Sequence, residues 1–256
     1  MTINHPNVRH NPAEARECAT DGDCWGSMLA DNGAGTEGMS EMGVAQGFRQ
    51  SEPAGRPIVA FDFDGTLTTR DSFTQFLRWR AGPGGWALGL VKMAKATAAY
   101  ARNRDRGAIK AASVRVFLKD VTRPELEADA ARFADAVWDR FMRPDALQVW
   151  NDWGAKGAYR VIVTASPEIT VAPFARRLGA DALLGTHMAF DARDRVTGAF
   201  IGSNCRGEEK VRRLKAAFGD DMQLAAAYGD TSGDTEMIAI AAEKGFRVFK
   251  GRPGRS

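Results

Sequence analysis

The stretch PIVAFDFDGTLTTRDSFTQFL, residues 57–77, places Asp62 and Asp64 directly behind a run of apolar residues. Carboxylates at this spacing can pair a nucleophile with a proton donor, can ligate a metal, or can simply form a turn. Being so close they repel each other, so a cation or a shared proton has to hold them. A second acidic stretch, YGDTSGD, carries Asp230 and Asp234. An ordinary turn explains the first cluster alone but not a second acidic strand end far downstream. A calcium-binding EF-hand loop also opens Asp-x-Asp, but here Leu67 stands where that loop needs glycine and Phe73 where it needs glutamate. If Asp62, Asp230 and Asp234 converge, their repulsion calls for a divalent cation with hard oxygen ligands. Mg²⁺ suits a site that keeps waters and takes a phosphate oxygen.

The elements that must position these groups are legible as alternating apolar and helical runs. IVAFDF (58–63), YRVIVTAS (159–166), QLAAAYGD (223–230) and FRVF (246–249) read as strands. Helical patterns fall at 145–156, 168–178, 208–218 and 232–243. LLGTHMAF and RVTGAFIG flank DARD as an appended hairpin. This order predicts an α/β fold, a Rossmann-like parallel sheet with helices on both faces. Residues 72–143 carry no strand signal and read as three or four helices, an inserted small helical cap over the strand ends where ligands bind in such sheets. The core is then 56–71 and 144–256, with a tail over 1–55.

That tail has three basic and eight acidic residues and no sustained apolar period, so it is expected to be disordered. The whole chain of 256 residues has net charge +3, 44% apolar and 26% charged residues, as in an ordinary globular protein. Its best apolar run is interrupted by Lys92 and Lys95 and falls short of the about 18 residues of a membrane span. The first residues carry no apolar signal core, so export by that route is not expected. Cys18, Cys24 and Cys205 make no disulfide framework and suit a reducing cytoplasm. Cys18 and Cys24 with His10 match no zinc spacing.

Taken together, these motifs resemble the haloacid dehalogenase (HAD) superfamily of phosphohydrolases, in particular its phosphoserine-phosphatase-like branch, over residues 57 to about 250. All four family motifs occur in order: Asp62 to Thr66 as D-x-D-G-T, Thr164 ending VIVTAS, Lys210 in CRGEEKV, and the pair Asp230 and Asp234. The resemblance implies a Mg²⁺-dependent phosphatase, with Mg²⁺ held by Asp62, Asp230, Asp234 and the backbone carbonyl of Asp64. It implies that Asp62 attacks phosphorus, that Asp64 serves as acid and then base, and that Thr164 and Lys210 hold the phosphoryl group. Thr66, Asp71 and Ser166 are candidates for substrate contact, although Ser166 also suits a cap for a helix beginning at Pro167.

The resemblance leaves the substrate open. The phosphoserine-specific enzymes carry glutamate where Asp71 stands, a cap arginine where Ala112 stands, and asparagine where Gly233 stands. Residues 72–119 hold ten Lys or Arg and a single acid, Asp105. WALGLVKMAKATAAYAR is both basic and amphipathic, as at an anionic membrane surface, although charge runs are commonly just solvated faces. DGTLTTRDSFTQFL and CRGEEKV are also similar to branch members that dephosphorylate phosphatidylglycerophosphate. The expected partners are a small phosphorylated metabolite, such as a phosphoserine-like one, or a lipid phosphate met from the cytoplasmic side of a membrane. Nucleic acid is not expected, since only Trp79, Trp86 and Tyr100 could stack bases in the basic stretch. A non-catalytic binding regulator on the same fold is the reading from another class, and the intact Asp62, Asp64, Lys210 and Asp230 count against it.

Overall fold

The computed structural model describes residues 53–103 and 105–254. The tail expected over 1–55, as far as residue 52, lies outside the described residues, together with His10, Cys18 and Cys24. In chain order β1 (Ile58–Phe61) leads through a wide turn into α1 (Ser72–Lys92), α2 (Ala94–Asn103), α3 (Arg106–Phe117), α4 (Arg123–Phe141) and α5 (Pro144–Ala155). Then come β2 (Tyr159–Pro167), α6 (Glu168–Leu178), β3 (Ala182–Phe190), β4 (Val196–Ile201), α7 (Glu208–Phe218), β5 (Leu224–Gly229), α8 (Thr235–Ala239) and β6 (Ala241–Phe246). The sheet order is β4-β3-β2-β1-β5-β6, with every neighbouring pair parallel except β3 and β4. This is the α/β sheet expected, with β3 turning back as a hairpin at one edge.

β1 is central because it can be buried on both faces. Val59 and Phe61 enter one core cluster, Ile58 and Ala60 the other, as a strand covered by helices on each side requires. Phe61 meets Trp150 edge-on at 5.0 Å and stacks on Tyr228 at 4.6 Å, which fixes the end of β1 just before Asp62.

The end of the sheet differs from expectation. The helical pattern expected over 232–243 is realised only as α8, and β6 occupies 241–246, not 246–249. AAEK has helix-forming composition, but its pairing to β5 from Leu224↔Ala241 to Gly229↔Phe246 overrides that preference. Of the apolar run FRVF only Phe246 stays in the sheet; the chain leaves it after that residue, and Phe249 is buried against Tyr228 at 5.4 Å.

Four helices, α1 to α4, separate the β1 turn from α5. Gly82, with φ 65, and Pro83 break α1 into two segments, as the AGPGG sequence would suggest. Asp71 starts α1 by accepting from Thr74 N–H at 2.7 Å, and Thr122 starts α4 with Pro124 in its first turn. The β3–β4 hairpin braces these helices from the side: Asp120 N–H donates to Val196 O at 2.9 Å, and Arg123 pairs with Asp194 at 2.8 Å. Among the described residues no helix is long and apolar enough to cross a membrane.

Candidate active site

Parallel strands end in unpaired backbone at one edge, and the chain uses three of those ends. Asp62 follows β1, its N–H still paired to Tyr228 O at 2.8 Å. Thr164 lies in the last part of β2, and Asp230 follows β5. Lys210 rises from the first turn of α7 into the space between them. Its Nζ donates to Asp62 Oδ1 at 2.6 Å, Asp234 Oδ1 at 2.7 Å and Val163 O at 2.5 Å, so all three ammonium protons are used.

Lys210 is 1% exposed and Asp62 6% exposed, so their charges interact with little screening. Burial pushes the Asp62 carboxyl up to about 7, with Asp234 adding to the rise and Lys210 opposing it. Burial works the other way on Lys210, yet Asp62 and Asp234 hold it above the ordinary lysine range. Asp234 is held below the ordinary carboxylate range despite burial, by Lys210 and by the Thr231 N–H and hydroxyl at 2.9 and 3.0 Å. The repulsion between neighbouring acids is therefore met here by one buried lysine.

Asp64 is placed by the turn. Thr68 N–H closes onto Phe63 O at 3.0 Å, a wide turn that lets Gly65 adopt φ 84 and swings Asp64 toward α1 and β2. Its Oδ1 accepts from Ser72 N–H at 2.6 Å and its Oδ2 from the Ser166 hydroxyl at 2.5 Å. Burial and the nearby Asp71 push Asp64 up to about 6, against the lowering effect of those two bonds. A carboxyl poised near neutrality can both give and take a proton.

Asp62, Asp230 and Asp234 each offer an oxygen within 4.8 Å of the others. Asp230 Oδ1 is buried and without a hydrogen-bond partner among the described residues, while burial and Asp234 raise this carboxyl. A buried carboxylate oxygen without a donor is costly, and a cation removes that cost. The donor set is all oxygen, which fits Mg²⁺. Gly65 is required beside it: a methyl there would run into the Asp230 carboxylate, on a backbone of positive φ. Gly65→Ala is expected to displace Asp230 and weaken binding of Mg²⁺ to the protein at least about tenfold, since 1.4 kcal/mol corresponds to that factor. A metal titration checks this, and an unchanged midpoint would separate Asp230 from the metal.

The remaining expected residues are placed as follows. Thr164 lines the cavity and accepts Ser166 N–H at 3.1 Å, leaving its own O–H to donate. Thr66 is buried behind Asp62, its hydroxyl directed at Asp62 Oδ2 at 3.4 Å. Asp71 caps α1 and also lines the cavity. Ser166 does not cap a helix: Pro167 belongs to β2, α6 starts at Glu168 without a side-chain cap, and the hydroxyl holds Asp64. Gly233 makes room for Arg206, which reaches Thr231 at 3.3 Å and Ser232 at 2.9 Å.

Two cations at the site escaped sequence reasoning. Arg206 directly precedes Gly207 in the lysine motif and was hidden by it. Lys110 on α3 reaches the strand ends, donating to Ala165 O at 2.7 Å. Burial lowers Lys110, while Asp64, Asp71 and Asp62 work to keep it charged. The excess of cations in residues 72–119 was its signal, but composition does not say which one turns inward. Trp86, in contrast, stacks on Phe117 at 5.1 Å, and Trp79 on Phe76 at 6.4 Å. Cys205 is buried with its thiol pushed up to about 11, as befits a packing residue.

A sheet with carboxylates from separate strand ends gathered around a buried lysine defines a hydrolase of the Rossmann-like α/β class. The chain belongs to the haloacid dehalogenase-like hydrolase family, whose model matches residues 59–239. It is 57% identical to the protein CicA of Caulobacter vibrioides over 196 residues, 77% of this chain and 88% of that one. Its fold is similar to a Bordetella pertussis Tohama I protein of unknown function, at 24% identity and TM-score 0.61, over 72% of this chain and 86% of that one. It is also similar to a phosphoserine phosphohydrolase-like protein from Francisella tularensis, at 15% identity and TM-score 0.52, over 72% and 82% of the two chains.

Proposed function

We propose that this protein hydrolyses phosphomonoesters through a phosphorylated Asp62. The observation that carries the reading is Lys210 bridging Asp62 and Asp234, with the orphaned Asp230 oxygen beside them and Asp64 in place as a proton donor. An Asp62 oxygen attacks phosphorus while the bond from phosphorus to the alcohol oxygen breaks, and that oxygen takes a proton from Asp64. Asp64, now ionised, removes a proton from a water whose oxygen attacks the phosphoryl group, and Asp62 is released. Thr164 O–H donates to a phosphoryl oxygen, Lys210 on Asp62 offsets the charge of the phosphoryl group, and Ser166 holds Asp64 in line. Asp62, Asp230, Asp234 and the Asp64 carbonyl would hold Mg²⁺, which supplies charge neutralisation for a group that is negative throughout.

A regulator that only binds phosphate has no use for the Asp64 arrangement, which serves proton transfer. The polar floor accepts small organic phosphates, and Asp71 at its rim is the group a substrate amine would meet in a phosphoserine-like metabolite. The test is release of phosphate from p-nitrophenyl phosphate. EDTA is expected to abolish it, Mg²⁺ to restore it, and Ca²⁺ to inhibit, since calcium prefers more ligands at longer distances. Full activity in EDTA would remove the metal from the reaction.

A further inference from the structure

The floor of the active site fits any phosphomonoester, so selection must lie in what stands above it. The cavity holding Asp62, Asp64, Thr164, Ser166 and Lys210 has a volume of about 620 Å³. Its apolar lining is Phe73, Leu77, Trp86, Leu90, Met93 and Phe117, from the stretch between α1 and α3. Phe73 and Leu77 are core residues that also line the cavity, and Trp86 stacks on Phe117 as a second aromatic part of the lining. No metabolite that is polar at every carbon could wet such a wall without loss, because apolar surface facing trapped water is unfavourable.

The same wall continues to the outside. Leu90 lines the cavity and is 49% exposed, and on the same helix Leu88 is 57% and Val91 72% exposed. Lys92 and Lys95 stand next to them. Lys110 lines the same cavity, its ammonium donating to Ala165 O at 2.7 Å beside Ser166.

We infer that the substrate is an amphiphilic phosphomonoester, whose phosphoryl group sits at Asp62 and whose apolar chain lies along Phe73, Leu77, Trp86, Leu90, Met93 and Phe117. This rests on the phosphatase reading and adds the class of alcohol released. The chain enters past Leu90, where the exposed Leu88 and Val91 receive it from a micelle, a carrier or a bilayer. The shared chemistry is the chain and the headgroup phosphate.

The experiment uses the full chain with Mg²⁺ and a series of monomeric alkyl phosphates from ethyl to octyl. kcat/KM is expected to rise about fourfold per methylene while each added group is buried, from the transfer free energy of a methylene. Leu90→Glu, at a position exposed enough to tolerate charge, is expected to flatten that slope. Turnover of ethyl phosphate with no dependence on length would overturn the inference and leave the phosphatase reading standing. Binding of the matching alkylphosphonates, which are not hydrolysed, reads the chamber without turnover. Affinity rising with length supports it, and affinity independent of length overturns it. If phosphonate affinity rises with length but no phosphate is released from any ester, the phosphatase reading alone fails. Phosphatidic acid in vesicles separates the sources. Hydrolysis on phosphatidylglycerol vesicles that is lost on reversing Lys92 and Lys95 to Glu, with octyl phosphate still cleaved, assigns the chain to a membrane lipid. Cleavage of octyl phosphate with no hydrolysis on vesicles assigns it to a soluble amphiphile.

Discussion

Asp62→Asn is expected to reduce turnover at least about a thousandfold, because an amide cannot form the acyl phosphate. The fold should survive, since Lys210 keeps Asp234 and Val163 O as partners. A second readout follows from charge. The folded-state value of Asp62 is raised from the ordinary carboxylate value to about 7, so its contribution to stability is complete at acid pH and is lost as pH rises through about 7. Metal-free wild-type protein is therefore expected to lose thermal stability over that window, and Asp62→Asn protein to lose less. Steady-state rates and melting curves against pH check the two parts. Turnover within tenfold of wild type would place the nucleophile elsewhere.

The acidic groups were legible because their chemistry dictates both residue type and location. A parallel sheet buries β1, β2 and β5 so completely that polar residues at their ends stand out, and Asp62, Thr164 and Asp230 do. Lys210 was legible only in company, since an isolated lysine on α7 reads as a solvated face. What sequence concealed depends on how helices lie in space. Nothing in α3 marks Lys110 as the cation that turns inward, because its helix is amphipathic only relative to α1 and to the strand ends. The apolar wall was concealed for the same reason: Leu77 and Leu90 are thirteen positions apart and line one cavity with Gly82 and Pro83 breaking α1 between them. The exit of β6 was misplaced because edge pairing, a tertiary effect, decided between AAEK as helix and AAEK as strand.

Asp64 offers the sharper test of the chemistry, because the proposed mechanism gives it one role in each half of the reaction. With an alkyl phosphate, whose leaving alcohol needs a proton, Asp64→Asn is expected to lower kcat about a hundredfold to ten-thousandfold. With p-nitrophenyl phosphate the leaving group departs without help, so the first half should proceed. The second half still lacks its base. The expected result is a burst of one p-nitrophenol per protein molecule followed by slow turnover, with phosphate retained on Asp62. Wild-type protein should show a matching pH signature. Asp64 must be protonated for the first step, and its value is about 6, so kcat/KM for alkyl phosphates should fall as pH rises above that value. The fall should be weaker for p-nitrophenyl phosphate, which does not need the proton. Ser166→Ala removes the 2.5 Å bond to Asp64 Oδ2, which favours the ionised form. That change should move the limb to higher pH. Equal loss on both substrates without a burst would show that Asp64 serves structure through Ser72 and Ser166, not proton transfer.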